Sequence, residues 1–476
     1  MTQFSIHARF DGPIVILGFG SIGRGIIPLI ERHLEFNKNL LTVVAPTGND
    51  FGLLKSMGLA YIEVSLTREN YRDVLKPPLF AGGKQGLIIN LAVNVSSLDI
   101  MRFAKEIGCL YIDTAIELWP DFYDNPDRAV QERTDYSLRE SVLALERQSP
   151  GGPTIVTCCG ANPGFVSWLV KEALLKLADD TGQNTVVPES ASDWAHLAQR
   201  LGVKGIHIAE RDTQRSAAGR KLGTFVNTWS VEAFVTETFR PAELGWGTHE
   251  KQLPRDARRH DLGCDASIYL LRAGGKTRVR SWTPMAGPQQ GFLITHNEST
   301  SIADYFTLRK AGKVIYRPTC LFAYRPCDEA VLSLYDMYDA KCPERSNWHV
   351  LNEDEIVDGA DELGVLIYGH SKNAFWYGSR LSIQDTRKLV PFQNATTLQV
   401  TSAVLAGVIW MIENPTSGIV DTDRMDFRRC LDIQRPYLGR IIGQYTNWTP
   451  VDDRNLYVPE ELDRSDPWQF SNMIVR

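Results

Sequence analysis

Residues 13–23 of the chain read Pro-Ile-Val-Ile-Leu-Gly-Phe-Gly-Ser-Ile-Gly. The apolar run at 14–17 is typical of a strand that is buried on both faces of a sheet. Three glycines follow at the spacing G-x-G-x-x-G, and the apolar residues after them recur at helical intervals. Strand, glycine turn and helix in this order predict a dinucleotide-binding unit, in which the first amides of the helix bind a pyrophosphate. The alternative is a glycine turn that binds nothing. The cofactor contacts predicted at this turn are Gly18, Gly20, Ser21, Ile22 and Gly23.

Strand-like and helical segments alternate from this turn to about residue 158. Helical patterns at 97–107 and 137–147 separate some of the apolar runs that predict five further strands, at 40–45, 61–64, 86–91, 110–113 and 154–158. This alternation predicts an α/β fold with a Rossmann-type, doubly wound parallel sheet.

Small and polar residues cluster where these predicted strands end. Ligands of doubly wound sheets bind at the carboxyl ends of the strands, so these residues are expected to face a cofactor. The alternative is that they only cap turns and helices. The predicted contacts are Thr47, Asn90, Ala92, Asp113, Thr114, Ala115, Gly160, Ala161 and Asn162.

The end of the second strand bears on the choice of cofactor. An acidic residue usually closes this strand and binds the ribose hydroxyls. Here the strand closes with Ala45, Pro46 and Thr47, and the next carboxylate is Asp50. No Lys or Arg that could bind a 2′-phosphate lies between residues 38 and 55, so NAD is favoured over NADP.

The chain of 476 residues is long enough for two or three domains. We predict an NAD-binding domain at 1–162, to which a buried helix at 394–413, capped by Asn394, returns. A substrate and dimerisation domain is predicted at 163–393, and a tail at 414–476 is expected to pack on the surface or on a partner. The second domain is predicted to be α+β on a mixed sheet, from strand patterns at 203–209, 224–231, 262–271, 291–295 and 364–368.

Composition limits the function classes. The net charge is -6 and no basic arm is present, so nucleic acid is not an expected partner. The sequence has no apolar signal core and no apolar run that is long enough to span a bilayer, so no membrane segment is expected. The eight cysteines lack metal-ligand spacing, which indicates reduced thiols in the cytoplasm and no metal site.

Acidic and aromatic residues recur near the predicted strand ends of the second domain. They are Glu210, Trp229, Glu237, His296 and Asp361. Strict strand alternation would place Trp229 and Glu237 on one face. The alternatives are a solvated role for each carboxylate and a core role for Trp229 and His296. An acidic pocket with an aromatic wall suits an amine substrate, because an indole face attracts a cation.

Three segments together resemble a known family. Residues 18–23, 159–164 and 229–237 are similar to those of the bacterial homospermidine synthases, which are relatives of saccharopine dehydrogenase. The resemblance runs over the whole chain. It implies a homodimer that converts two putrescine molecules into sym-homospermidine and ammonia, with NAD as a recycled hydride carrier. The pocket residues that it implies are Glu117, Asn162, Glu210, Trp229, Glu237, His296 and Asp361.

The resemblance also suggests individual roles. Glu210 and Asp361 are expected to bind the distal ammonium, and Glu237 and His296 to transfer protons near the reacting nitrogen. Trp229 is expected to stabilise an iminium.

Asn162 would orient the reacting nitrogen, and Glu117 would guard the mouth of the pocket. Two alternatives remain at this point. One is a net dehydrogenase of the saccharopine or carboxynorspermidine type, which would need a cationic clamp such as Arg211 or Arg240 for its carboxylate. The other is a nucleotide-sensing protein without catalysis.

Overall fold

The computed structural model describes residues 4–46, 51–120, 122, 125, 127–183, 186–339, 343–454, 456 and 458–475. These residues form two compact units. The first unit comprises Met1–Arg128, Leu138–Phe165 and Gln384–Tyr437, and the second comprises Ala129–Ser137, Val166–Ile383 and Leu438–Arg476.

The strands are, in chain order, β1 Ala8–Phe10, β2 Ile14–Leu17, β3 Leu34–Phe36, β4 Leu41–Ala45, β5 Ala60–Glu63, β6 Leu87–Asn90, β7 Leu110–Asp113, β8 Ile155–Thr157, β9 Gly205–Asp212, β10 Arg215–Ser216, β11 Phe225–Asn227, β12 Pro241–Gly245, β13 Ala257–Arg259, β14 Ser267–Ala273, β15 Arg278–Thr283, β16 Gly287–Leu293, β17 Leu308–Lys310, β18 Lys313–Tyr316, β19 Thr319–Arg325, β20 Trp348–Val350, β21 Ile356–Asp358, β22 Ala360–His370, β23 Asn373–Ser382, β24 Ile419–Asp421 and β25 Arg440–Thr446.

The α-helices are α1 Ser21–His33, α2 Phe51–Ser56, α3 Tyr71–Leu79, α4 Ser97–Ile107, α5 Asp135–Gln148, α6 Phe165–Asp180, α7 Ala191–Leu201, α8 Val231–Phe239, α9 Asn297–Tyr305, α10 Asp328–Asp339, α11 Ile383–Leu389, α12 Ala395–Glu413, α13 Phe427–Gln434 and α14 Phe470–Met473.

The first unit is built on a seven-stranded parallel sheet in the order β24-β8-β7-β6-β2-β4-β5. All four residues of β2 are buried, as its apolar run predicts for a strand covered on both faces. The predicted Rossmann-type sheet is therefore confirmed, and β2 lies between β6 and β4 in the middle of it.

Helix α12 fills the core of this unit. Asn394 caps it by accepting a hydrogen bond from the amide of Thr397, as the sequence predicts. In the part of the chain that the structure describes, it is the one helix long and apolar enough to cross a membrane, so the expectation that no apolar run reaches this length is wrong. Its side chains are almost all buried inside the protein, which is typical of a core helix.

The second unit is built on a ten-stranded sheet. The parallel pair β9–β19 lies inside it, whereas β9 pairs with β22, and β22 with β23, in antiparallel fashion. The predicted mixed sheet is confirmed. Strand β9 is central, because it pairs with β19 on one side and with β22 on the other, and it carries Glu210 and Asp212.

One predicted strand of this unit is wrong. In place of a strand at 224–231, the short β11 ends at Asn227 and α8 begins at Val231, with the hydroxyl of Ser230 accepting a hydrogen bond from the amide of Ala233. The buried side chains of α8 recur at intervals of three and four residues, which is the period of a helix. Trp229 and Glu237 are consequently not related by strand alternation.

The segment predicted as a surface tail, 414–476, divides between the units. β24 adds a parallel edge strand beside β8, and β25 pairs with β23 in the large sheet of the second unit. Backbone groups of an edge strand need partners, and these late segments supply them.

The last residues of the chain are held by the buried carboxylate of Glu250. It accepts hydrogen bonds from the amide of Phe470 at 2.9 Å and from the hydroxyl of Thr319 at 2.7 Å. Burial raises the pKa of Glu250 to about 7, although these hydrogen bonds oppose the shift.

This raised pKa predicts a pH-dependent stability. A carboxyl whose pKa is higher in the folded state contributes stability at low pH that is lost as the pH rises towards the folded pKa. Between about pH 4 and pH 8, the free energy of unfolding of the wild type should fall by roughly 3 kcal/mol relative to that of Glu250→Gln. Urea denaturation of both proteins across this range measures the difference, and parallel pH curves would contradict the assignment.

Candidate functional site

The glycine turn of the first unit has the geometry of a phosphate cradle. Gly18 has φ +88°, and a Cβ on it would press against the carbonyl oxygen of Leu91. A Cβ on Gly23 would overlap the carbonyl oxygen of Gly18. Gly20 differs from both, because its φ is −75° and a Cβ on it would meet no atom of the described residues within 4 Å, its chain neighbours apart. Nothing in the fold of the described residues requires glycine there, whereas a ligand that approaches the backbone does.

A hydrogen-bonded chain links the ends of β6 and β7. The side-chain amide of Asn90 donates to the hydroxyl of Tyr111 at 3.1 Å, and that hydroxyl donates to the carboxylate of Asp113 at 2.8 Å. Asp113 also accepts from the amide of Cys158 at 2.7 Å. Burial raises the pKa of Asp113 to about 7. Its carboxylate therefore supports the loop after β8 from inside the unit, and its side chain is not presented at the surface.

The loop after β8 closes on itself. The amide of Gly160 donates to the carbonyl of Pro163, and the amide of Phe165 donates to the carbonyl of Gly160. Gly164 has φ +132°, and a Cβ there would overlap Gly160. The loop buries Ala161 and leaves Asn162 half-buried. It thus holds the side chain of Asn162 at the end of the parallel sheet.

The chain after β7 runs along the start of α4. The amide of Glu117 donates to the hydroxyl of Ser97, and that hydroxyl donates to the carbonyl of Ala115. Thr114, Ala115 and Glu117 are half-buried. Ala92, after β6, is also half-buried, and its amide donates to the side chain of Asn90. The predicted contact Thr47 and the neighbouring Asp50 lie outside the described residues.

In the second unit, three neighbouring strands bring acidic residues to one face of the sheet. Glu210 of β9 lies opposite Tyr324 of β19. Asp212, two residues along β9, lies opposite Asp361 of β22. Residues two apart in a strand share a face, so all four side chains lie on the same side. Glu210 and Asp361 lie within strands but close to their ends, as the sequence predicts, at the end of β9 and the start of β22.

Aromatic rings adjoin these carboxylates. The indole N–H of Trp229 donates to the hydroxyl of Tyr324 at 3.0 Å, and the ring of Phe234 contacts both. Burial raises the pKa of Tyr324 well above its usual value, and the charges of Glu210, Asp212 and Asp361 raise it further. The charges of these three carboxylates therefore all raise the pKa of the same phenol, that of Tyr324.

The aromatic wall continues to His296. Phe322 stacks on Tyr324 with 5.2 Å between ring centroids, and His296 lies 4.5 Å from Phe322. His296 Nε2 is 3.1 Å from Glu237, and Nδ1 is 3.3 Å from Glu298. Burial alone would lower the pKa of His296, but the two carboxylates raise it well above its ordinary value.

Sequence reasoning missed several members of this cluster. They are Asp212, Phe322, Tyr324 and Glu298. Residues 319–325 read Thr-Cys-Leu-Phe-Ala-Tyr-Arg, a β-prone run that could have been predicted as a strand. Nothing local in the sequence shows that this strand lies beside β9, because the pairing joins residues more than 100 positions apart.

Two arginines, Arg211 and Arg240, were considered above as groups that could bind a substrate carboxylate. Neither is available for this role at the acidic cluster. Arg211 is adjacent to Glu210 in β9, so it lies on the opposite face of the sheet. Arg240 is buried and forms an ion pair with Asp135 at 2.6 Å. This arrangement favours an amine substrate over one that carries a carboxylate.

Comparison with known proteins gives the family. The Saccharopine dehydrogenase NADP binding domain matches residues 14–156, and the Saccharopine dehydrogenase C-terminal domain matches residues 160–446. A homospermidine synthase of Blastochloris viridis is 57% identical, with 100% of both chains covered. One of Mesorhizobium japonicum is 53% identical, with 100% of this chain and 98% of that one covered. A crystal structure of the Legionella pneumophila homospermidine synthase in complex with NAD is 40% identical over 98% of both chains, with a TM-score of 0.91. The chain therefore belongs to the saccharopine dehydrogenase family and, within it, to the homospermidine synthases.

Proposed function

We propose that this chain condenses two molecules of putrescine into sym-homospermidine, releases one molecule of ammonia, and uses NAD as its cofactor. The observation that carries the proposal is the aromatic wall of the second unit, which has carboxylates at both ends. Glu210 and Asp361 lie beside Tyr324, and Glu237 lies beside His296. A short diamine is a dication with an apolar middle, and this arrangement complements both of its parts.

The residues at the two ends of the aromatic wall have different roles. Glu210 and Asp361 bind the ammonium that does not react, since both are buried carboxylates on one face of the sheet. Glu237, which is half-buried, is the carboxylate at the other end that can accept or return a proton at the reacting nitrogen. Trp229, also half-buried, offers its ring to the cationic intermediate.

We propose a role for His296 that differs from the proton transfer expected near the reacting nitrogen. The carboxylates of Glu237 and Glu298, at 3.1 and 3.3 Å from the two ring nitrogens of His296, raise its pKa and favour the charged imidazole, which has no free lone pair with which to deprotonate an amine. A charged imidazole can instead donate a proton, and the departing nitrogen needs one to leave as ammonia. We therefore assign His296 the role of acid in the step that releases ammonia.

NAD, when bound, takes a hydride from the amine-bearing carbon of the first putrescine and returns it after the second amine has replaced ammonia at that carbon. The residues of this chain that would hold it are the glycine turn, with Gly20 open to the pyrophosphate, and the ends of the parallel strands. Asn162 and Glu117 belong to this unit. Their proposed roles, orienting the reacting nitrogen and guarding the entrance, come from the family resemblance.

We also propose a homodimer in the cytoplasm, without nucleic acid or membrane partners. The resemblance supports the dimer. The cysteines that the structure describes are free thiols, which suits a reducing compartment.

The stoichiometry of product to cofactor tests the reaction. With putrescine and a small amount of NAD⁺, homospermidine should exceed the NAD⁺ supplied many times over, because the hydride returns to the product in each cycle. Deuterium on the reacting carbon of putrescine should be retained in homospermidine. Mass spectrometry measures both. Accumulation of NADH in one-to-one ratio with product would support the net dehydrogenase, and ligand binding without any product would support the sensing protein.

A further inference from the structure

The environment of His296 contains a carboxylate that the proposed roles do not use. Glu298, the second residue of α9, is 1% exposed, and its Oε1 lies 3.3 Å from Nδ1 of His296. The opposite ring nitrogen, Nε2, faces Oε2 of Glu237 at 3.1 Å. His296 itself is 8% exposed. The imidazole thus lies between two carboxylates, one on α9 and one on α8.

With both carboxylates ionised, this geometry requires a particular protonation of the ring. An ionised carboxylate accepts hydrogen bonds and donates none, so each ring nitrogen must carry a proton to bond its neighbour. Both nitrogens are donors only in the imidazolium. Within the described residues, the ion-pair partner of both Glu237 and Glu298 is His296 alone.

Other elements place an aromatic ring beside His296 and two further carboxylates, those of Asp135 and Glu243, at the neighbouring Thr295. Strand β19 contributes Phe322, whose ring contacts the imidazole. In β12 the carboxylate of Glu243 is bound by the hydroxyl of Thr295 and the imidazole of His260. With both carboxylates ionised and the ring protonated, the cluster of Glu237, His296 and Glu298 carries two negative charges and one positive charge.

The second oxygen of Glu298 supports the same balance. Oε2 is buried and accepts no hydrogen bond from the described part of the protein. Burying a carboxylate with one unused oxygen costs free energy, and the attraction of a charged partner offsets part of that cost. Here the charge faces the imidazolium directly.

We propose that Glu298 is a positioning residue for the reaction proposed above. It holds His296 as an imidazolium and leaves the cluster of Glu237, His296 and Glu298 with one net negative charge. This end of the site therefore accepts a single ammonium group. The inference rests on the proposed function for its substrate, but not for its statement about His296. Glu298 does not touch the diamine. It keeps His296 charged through the ring nitrogen that faces away from Glu237, and so keeps the proton available for the departing ammonia.

The variant Glu298→Gln tests this inference. The amide keeps the shape of the side chain and removes its charge, so the pKa of His296 should fall. Glu250→Gln is the matched control, because it removes a buried carboxylate of the same unit that bonds Thr319 and Phe470. Nitrogen NMR of the full-length protein, labelled at histidine and assigned with His296→Asn, reports the protonation of the ring without substrate.

In the wild type and in Glu250→Gln, the His296 signal should stay at its protonated position from about pH 6 to pH 8. In Glu298→Gln it should titrate within this range. The kcat/KM of this variant for putrescine should fall about tenfold for each pH unit above that titration, and recover at lower pH. Glu298→Asp keeps the charge and should restore the protonated signal.

Two results would overturn the inference. One is a neutral His296 in the wild type at neutral pH, which needs no variant to be observed. The other is an equal loss of activity by Glu298→Gln at every pH with an unchanged His296 titration, which is what a merely structural role gives. Failure of the proposed function would appear separately, as wild-type protein that makes no homospermidine whatever the state of His296.

Discussion

Gly20→Val should lose NAD binding by at least about 100-fold, equivalent to about 2.7 kcal/mol, while its melting temperature stays that of the wild type. The valine side chain would occupy the open space above the glycine turn, where, apart from the chain neighbours, no atom of the described residues lies within 4 Å of the added Cβ. The φ of −75° at this position is accessible to any residue, so the fold does not resist the change. Calorimetric titration with NAD⁺ and thermal unfolding of the same preparation measure the two quantities.

Gly23→Ala is the matched control for this prediction. Its new methyl group would overlap the carbonyl oxygen of Gly18, so this variant should unfold at a lower temperature than the wild type. The two glycines therefore separate a cofactor requirement from a packing requirement. Unchanged affinity for NAD in Gly20→Val would show that the pyrophosphate does not lie against this backbone.

Trp229→Ala should lose roughly 30-fold or more of its turnover and keep its affinity for NAD, because a desolvated cation–π contact contributes about 2 kcal/mol. The ring is half-buried and its N–H bonds Tyr324 at 3.0 Å, so the loss of stability should be smaller than the ~3–5 kcal/mol expected for a fully buried tryptophan. Trp229→Phe should lie between the wild type and the alanine variant in activity. It retains an aromatic face but loses the N–H that fixes Tyr324.

Trp376 provides the contrast. It is fully buried in β23, and its N–H donates to the carbonyl of Ala209 at 3.3 Å. Trp376→Phe should therefore lower stability and activity together. Melting temperature and product formation distinguish the two patterns. If activity simply follows stability in the Trp229 series as well, Trp229 is a packing residue and the cationic intermediate has another source of stabilisation.

The features that could be predicted from the sequence are those specified locally. The glycine spacing after the apolar run predicts the turn between β2 and α1, because Gly18 and Gly23 each have a separate steric reason within the fold and Gly20 leaves space for a ligand. The apolar stretch behind Asn394 predicts α12 and its cap. In both cases a few adjacent residues determine the backbone.

The site of the second unit depends on pairing between strands that are far apart in the sequence, and this pairing could not be predicted from the sequence. Tyr324 and Asp361 reach Glu210 only through the register of β19 and β22 on β9. Glu298 follows His296 by two residues, but its contact with the ring depends on the start of α9 at Asn297. Strand alternation does not relate Trp229 to Glu237, because Ser230 caps a helix that begins between them.

The division of each unit among distant chain segments has a consequence for biosynthesis. The first unit needs α12 for its core and β24 for its sheet edge, and both follow the whole stretch Val166–Ile383 of the second unit. The second unit in turn needs β25, which comes later still. Neither unit can complete its folding while the ribosome is still making the middle of the chain. The apolar surface that α12 will cover therefore stays exposed for most of translation, and a chain stopped before residue 395 is expected to aggregate.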